Sequence, residues 1–230
     1  MLKSGILLAT PPDAPVSAAA VKLARDHLSA GNNVFLYLID EGVRNLDTPP
    51  MAGLRAAGIK LFACAYGAQN RGIAWNPDLA AFSGLTVLAD ILGACDTFQA
   101  FTPLGQSPVP PPRISGQLPK TLVIVSEDPM QSRLPAEAIR IAAGISAWKK
   151  TEVTLLLRGP SFLILSSDTD DFVDADHYPH YLPIIRDWPA PVLLAPEALP
   201  PPPDPTLKHR QITAKEEADL RANSHCLIPF

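Results

Sequence analysis

Residues 89–101 read Ala-Asp-Ile-Leu-Gly-Ala-Cys-Asp-Thr-Phe-Gln-Ala-Phe, and residues 218–230 read Ala-Asp-Leu-Arg-Ala-Asn-Ser-His-Cys-Leu-Ile-Pro-Phe. Aligned without a gap, each reads as the end of a helix, a polar turn and a short strand closing on Phe. Identities are few, and Cys95 and Cys226 are offset by two positions, so they are not a matched functional pair. The shared order of elements carries the inference: the chain looks like one small α/β unit present twice.

The order holds upstream of both segments. In the first half Gly5 to Ala9 is a buried strand stopped by Thr10-Pro11-Pro12, and Ala14 to Ala30 has apolar residues at helical spacing before Gly31. Val34 to Ile39 is a second strand. Thr48 caps a helix opened by Pro49 and Pro50 that runs to Gly58. Ile59 to Cys64 is a third strand, Leu85 to Ala94 a helix and Thr97 to Phe101 a fourth strand. Residues 102–118 are rich in Pro, Gly, Ser and Gln and read as a linker. The pattern then restarts with a strand at Lys120 to Val125, a helix at Ala136 to Trp148 and a strand at Val153 to Leu157. A polar loop at 166–176 carries five aspartates, Asp168, Asp170, Asp171, Asp174 and Asp176. A helical stretch at Tyr181 to Arg186, a strand at Val192 to Ala195, a helix from Thr213 and the strand Cys226 to Phe230 complete the half. Strands alternating with helices predict mostly parallel sheets flanked by helices, since parallel strands need crossovers. The expected organisation is a unit over 1–101, the linker over 102–118 and a second unit over 119–230.

Composition narrows the function. At 230 residues, 47% hydrophobic and 18% charged, the chain can build a sizeable core. Its net charge of −4 and lack of a long basic run argue against nucleic acid. No apolar stretch approaches the roughly 18 residues of a membrane span, and the run at Ile6 to Ala9 is too short for a signal-peptide core. The expectation is a cytosolic protein. Proline stands out at 26 residues, clustered at 108–112 and 200–205 in runs that favour extended polyproline geometry. Three widely spaced cysteines without a Cys-x-x-Cys pattern suit neither a disulfide framework nor a zinc knuckle.

In parallel sheets, reactive groups gather beyond the carboxyl ends of the strands. Cys64 stands there on the third strand, within Ile-Lys-Leu-Phe-Ala-Cys-Ala-Tyr-Gly-Ala-Gln-Asn-Arg-Gly-Ile (59–73). A thiol entering the helical turn Ala65 to Asn70 meets exposed N–H groups that favour its thiolate, and Arg71 adds positive charge if the turn folds back. Such a thiolate can attack a persulfide and hold the sulfane sulfur. The plain alternative is a buried structural cysteine between Ala63 and Ala65.

The strand ending in Cys64, six residues, then Arg71-Gly72, followed by Gly84-Leu85 and a helix through Ala89-Asp90 toward Phe101, resembles the DsrE/DsrF-like family of sulfur-relay proteins. So does Val-Phe-Leu-Tyr-Leu-Ile-Asp-Glu-Gly-Val at 34–43, which is similar to the family's strand and Asp-Gly-Val turn. The resemblance covers residues 4–101. It implies sulfur transfer as a cysteine persulfide, with Cys64 in that role; Tyr66, Arg71 and Asp40 are the candidate binding residues around it. It also implies assembly from six units, here a trimer of two-unit chains. The second half resembles the family's cysteine-lacking members. It departs at Arg158-Gly159-Pro160 and at Val192-Leu193-Leu194-Ala195, which offers no cysteine. That half is therefore expected to be structural.

The resulting expectation is a sulfurtransferase-like carrier working between a sulfur-donor and a sulfur-acceptor protein, with no cofactor and no metal. A non-catalytic binding or assembly module on the same fold is the alternative. Weaker candidates remain. Asp174, Asp176, His177 and His180 are a candidate metal set, but Pro179 argues against a regular helix holding them and favours a solvated acidic loop. Asp40-Glu41 reads as a proton-transfer carboxylate or as turn residues. Trp75, Tyr66 and Phe82 read as a pocket lining near Cys64 or as core. His225-Cys226 is a dyad by adjacency alone, since strand neighbours face opposite ways.

Overall fold

After its first residue the strand Lys3–Leu8 (β1) is buried throughout, as an apolar run covered on both sheet faces must be. The computed structural model describes residues 1–113, 116–197 and 206–230. From β1 the chain passes through a helix at Pro15–Ser29 (α1), a strand at Asn33–Leu38 (β2) and a 3-10 segment at Asp40–Asn45. There follow Pro49–Ala56 (α2), Lys60–Cys64 (β3), Ala65–Asn70 (α3) and Ala81–Ser83 (β4). Leu85–Ala94 (α4), Thr97–Thr102 (β5) and Gly105–Gln106 (β6) close the first half. The second half runs Lys120–Val125 (β7), Leu134–Ser146 (α5), Glu152–Leu157 (β8), a 3-10 segment at Gly159–Leu165 and His177–Arg186 (α6). It ends with Val192–Leu194 (β9), His209–Gln211 (β10), Ala214–Ala222 (α7) and Cys226–Pro229 (β11).

The protein is α/β, with two sheets flanked by helices. One sheet has the order β4-β3-β2-β1-β5-β6 and the other β10-β9-β8-β7-β11. Every neighbouring pair is parallel except the short hairpin of β6 on β5. The two orders match strand for strand, with β7 to β11 standing where β1 to β5 stand. Strand β5 lies near β11, so the sheets meet along these strands. Among the described residues no helix is long and apolar enough to cross a membrane.

Some expectations need adjusting. The strands β4 and β10 have three residues each, Ala-Phe-Ser and His-Arg-Gln, with no apolar run to mark them in sequence, and both pair at sheet edges. The first strand-helix set therefore ends on its fifth strand, not its fourth. The linker begins as structure: β5 reaches Thr102, β6 folds back on it, and Ser107 Oγ accepts from the Ala100 N–H at 2.8 Å. Arg113 is anchored by donating to the Gly93 carbonyl at 2.9 Å and to the Leu92 carbonyl. Ile114 and Ser115 of the linker, and the proline run at 200–205, lie outside the described residues. Pro179 does not interrupt α6. It sits in the first turn, where a proline lacks an N–H that would be unbonded in any case.

Helix α5 explains how the halves fit. Its sequence, Leu-Pro-Ala-Glu-Ala-Ile-Arg-Ile-Ala-Ala-Gly-Ile-Ser, is apolar nearly all round, and ten of its residues are buried, including Glu137 and Arg140. A helix without a polar face belongs inside. It packs on β7, β8 and α6 of its own half and on α4 of the first half. Gly144 permits that last approach, since a Cβ there would lie 2.2 Å from Leu85 Cδ1. The carboxyl ends of β2 and β3 are thereby roofed by the other half of the chain.

Candidate functional site

Cys64 is the last residue of β3 and the cap of α3. Its Sγ accepts from the Gly67 N–H at 3.4 Å, one of the unbonded donors that open a helix. A second donor comes from the other half: Arg140 Nη2 lies 3.7 Å from the sulfur. Negative charge on Sγ thus meets hydrogens from two directions. The thiol itself is 1% exposed.

Arg140 is held from three sides. Its Nε and Nη2 both donate to the Glu137 carboxylate at 2.7 Å. Its guanidinium carbon stands 4.9 Å from the centroid of the Tyr66 ring, a cation–π arrangement. Burial works against its charge, but Glu137 and, less strongly, Cys64 override it and push the Arg140 pKa up. Burial likewise opposes the Glu137 charge, yet Arg140 holds its carboxyl below the ordinary carboxylate range.

Beside this pair lies a second ionic group. Asp40 opens the 3-10 segment with φ +51°, a left-handed conformation that aspartate tolerates better than most residues. It accepts from Arg71 and from Arg133, which stands just before α5. Glu41 accepts from Arg71 Nε at 3.0 Å and from Arg133 Nη2 at 3.1 Å. Burial and the Glu137 charge raise the Asp40 pKa beyond what Arg133 and Arg71 recover. Glu41 is more exposed; burial raises it too, but Arg44, Arg71 and Arg133 outweigh that and bring it down. Arg71 also donates to the Gly67 carbonyl at 3.1 Å, so Gly67 joins the ionic group to the thiol.

Tyrosines complete the walls. Tyr37 on β2 is fully buried and donates to the Gly84 carbonyl at 3.0 Å; burial and the neighbouring Cys64 push its phenol up. Ser83, registered beside Cys64 on β4, has a buried Oγ without a partner among the described residues. At the outer edge the Tyr66 hydroxyl and His177 Nε2 are 2.6 Å apart, and Tyr181 packs edge-on against His177 at 5.8 Å between centroids.

Cys64 and Tyr66 meet at Arg140, and Arg71 and Asp40 pair beside them, joined to the thiol through Gly67. Arg71 faces the carboxylates of Asp40 and Glu41 instead of the sulfur, so its charge is already matched. Trp75 and Phe82 stack on each other with centroids 5.7 Å apart, and Trp75 is largely exposed. His177 turns toward Tyr66, and among the described residues no three His, Cys, Asp or Glu side chains gather as metal ligands. Sequence reasoning missed Arg133, Glu137 and Arg140, and took His177 as a candidate metal ligand where it bonds Tyr66. The available signal was Glu137 and Arg140, two charges one helical turn apart in a segment apolar on every face; such charges must be paired inside the protein.

The other two thiols stand apart, at the end of α4 and the start of β11. Burial pushes Cys95 and Cys226 each up to about 12. Neither meets the conditions for a reactive thiol. No family model and no characterised protein matches the chain in sequence.

Proposed function

We propose that this chain is a cytosolic sulfur-trafficking protein that accepts sulfane sulfur as a persulfide on Cys64 and passes it to a partner thiol. The observation that carries the reading is the pair of donors, Gly67 N–H and Arg140 Nη2, aimed at one sulfur at a strand's carboxyl end. In the step, the Cys64 thiolate attacks the outer sulfur of a donor persulfide. A new S–S bond forms, the donor's S–S bond breaks, and the donor thiolate leaves with the electron pair. No external oxidant is needed. The fold is proposed to be two DsrE/DsrF-like units in tandem, 1–101 and 119–230, which the matched strand orders support. Three such chains would complete the six-unit assembly of the family it resembles. A stable monomer by size-exclusion with light scattering would overturn that stoichiometry.

Uptake requires α6 to move off α3, because the thiol is closed in. That closure favours a second reading, a non-catalytic binding or assembly module in which Cys64 is core. Intact mass after incubation with a sulfane-sulfur donor separates the two. Gain of one sulfur atom, reversed by reductant and lost in Cys64→Ser but not in Cys95→Ser or Cys226→Ser, is the expected result. Folded protein that takes up no sulfur from several donors would leave the binding module.

A further inference from the structure

The second half offers no cysteine at the end of β9, yet it is the half whose side chain reaches the sulfur. Arg140 and Glu137 are 3% and 7% exposed. A buried ion pair is weak ground for stability, because the charges lose hydration that apolar side chains of similar size would not need. The geometry of this pair points elsewhere. Nη2 carries two hydrogens; one meets Glu137 Oε1 at 2.7 Å and the other is free for Cys64 Sγ at 3.7 Å. Nε is taken by Glu137 Oε2, and the flat face lies on Tyr66. The guanidinium is locked by Glu137, and the Nη2 hydrogen that Glu137 leaves over faces the thiol.

We propose that Arg140 is a catalytic residue for sulfur uptake on Cys64, with Glu137 as its positioning residue, so that the site is shared between the two halves. The inference rests on the persulfide reading above. Before attack, Arg140 Nη2–H donates to the Cys64 thiolate. The S–S bond forms as the donor thiolate leaves; that thiolate then takes the proton from the new outer sulfur, which leaves the charge on the terminal sulfur about 2 Å further out, where the same donor can follow it by a small rotation. The leaving thiolate departs with its electron pair, and Arg140 keeps its proton throughout. Glu137 touches no reacting atom; it fixes the fork and balances its charge. Lysine would carry the charge without the fork and so could not bond Glu137 and sulfur in the same way.

The test measures the rate of Cys64 persulfide formation by intact mass, with cysteine persulfide as donor, in wild type, Arg140→Met, Arg140→Lys, Arg140→Ala and Glu137→Gln. Arg140→Met is expected to slow loading about 100-fold, Arg140→Lys less, and Glu137→Gln about tenfold. Methylguanidinium added to Arg140→Ala is expected to restore part of the rate, which a purely structural role would not allow. If Arg140→Met fails to fold because Glu137 is left alone, the double variant Arg140→Met/Glu137→Leu removes both charges and carries the same expectation of slow loading. Wild-type loading with unchanged rates in folded Arg140→Met or the double variant would overturn this assignment alone. Wild type that does not load would overturn the persulfide reading and this assignment with it.

Discussion

The hydroxyl of Tyr66 lies 2.6 Å from Nε2 of His177, a hydrogen bond between residues 111 apart in sequence. Tyr66 follows Cys64 by two positions on α3, and His177 opens α6 in the other half. Beneath the bond lies the Tyr66 ring, beneath the ring the Arg140 guanidinium, and against the guanidinium the thiol. The halves close over the sulfur in one stack, and this bond is its outermost tie.

Loosening the tie should expose the thiol. A hydrogen bond contributes about 1 kcal/mol net, so Tyr66→Phe or His177→Ala should raise the open population about threefold to tenfold. Modification of Cys64 by a small alkylating reagent under native conditions should accelerate by that factor. An unchanged rate in both variants would mean that reagent reaches Cys64 by another path and that α6 is not its cover.

The remaining thiols should answer to alkali. Burial raises Cys95 and Cys226 from 9.0 to about 12, whereas unfolded thiols ionise near about 8.5. A folded-state pKa above the unfolded one gives stability that is complete below the lower value and is lost as pH rises through the higher one. Each thiol should therefore cost on the order of 2 kcal/mol between about pH 7 and about pH 10. The urea midpoint of wild type should fall more steeply over that interval than that of Cys95→Ala or Cys226→Ala. Parallel curves would show that neither thiol stays protonated in the folded protein.

Much of this was legible in the sequence, and the limits were physical. Apolar runs bounded by Pro and Gly marked β1, β2, β3, β7 and β8 because those strands are covered on one or both faces. The edge strands β4 and β10 were invisible because Ala-Phe-Ser and His-Arg-Gln make no apolar run, whereas the equally short β9, Val-Leu-Leu, does. Cys64, Asp40 and Arg71 could be placed because each follows directly from a strand or helix end. Arg140 could not, since what brings it to Cys64 is the packing of α5 on α4 and α6, a long-range relation that single-chain periodicity does not encode.

Acid should undo the roof over the site. Glu137 is held below the ordinary range because Arg140 outweighs the effect of its burial. For a carboxyl with a depressed folded pKa, the stabilisation is present above the unfolded value, about 4.3, and is lost as pH falls through the folded one. Near-ultraviolet circular dichroism or Cys64 alkylation should report loosening of α5 as pH drops below about 4.3. Glu137→Gln should weaken the protein at neutral pH, where Arg140 loses its counter-charge, and flatten its acid dependence. A Glu137→Gln protein with wild-type acid sensitivity would place the responsible carboxyl elsewhere.

Two glycines should rank in a definite order. A Cβ on Gly42 would lie 1.9 Å from the Leu8 carbonyl oxygen and 3.2 Å from Ala9 Cα, both backbone atoms at the end of β1. Nothing there can rotate away, so Gly42→Ala must shift the 3-10 segment bearing Asp40 and Glu41. A Cβ on Gly144 would lie 2.2 Å from Leu85 Cδ1, the end of a flexible side chain, but also 3.2 Å from Leu85 Cβ. Leu85 can turn partly aside, and α5 then moves slightly from α4. Overpacking of this kind costs about 1–3 kcal/mol, with Gly42→Ala at the upper end or beyond and Gly144→Ala at the lower. The signatures should also differ. Gly42→Ala should disturb Asp40 and its arginines first, whereas Gly144→Ala should leave them and draw Arg140 from the sulfur, speeding Cys64 alkylation relative to its loss of stability. Equal destabilisation by the two, measured by denaturant unfolding, would mean that β1 yields to the new methyl group as easily as Leu85 does.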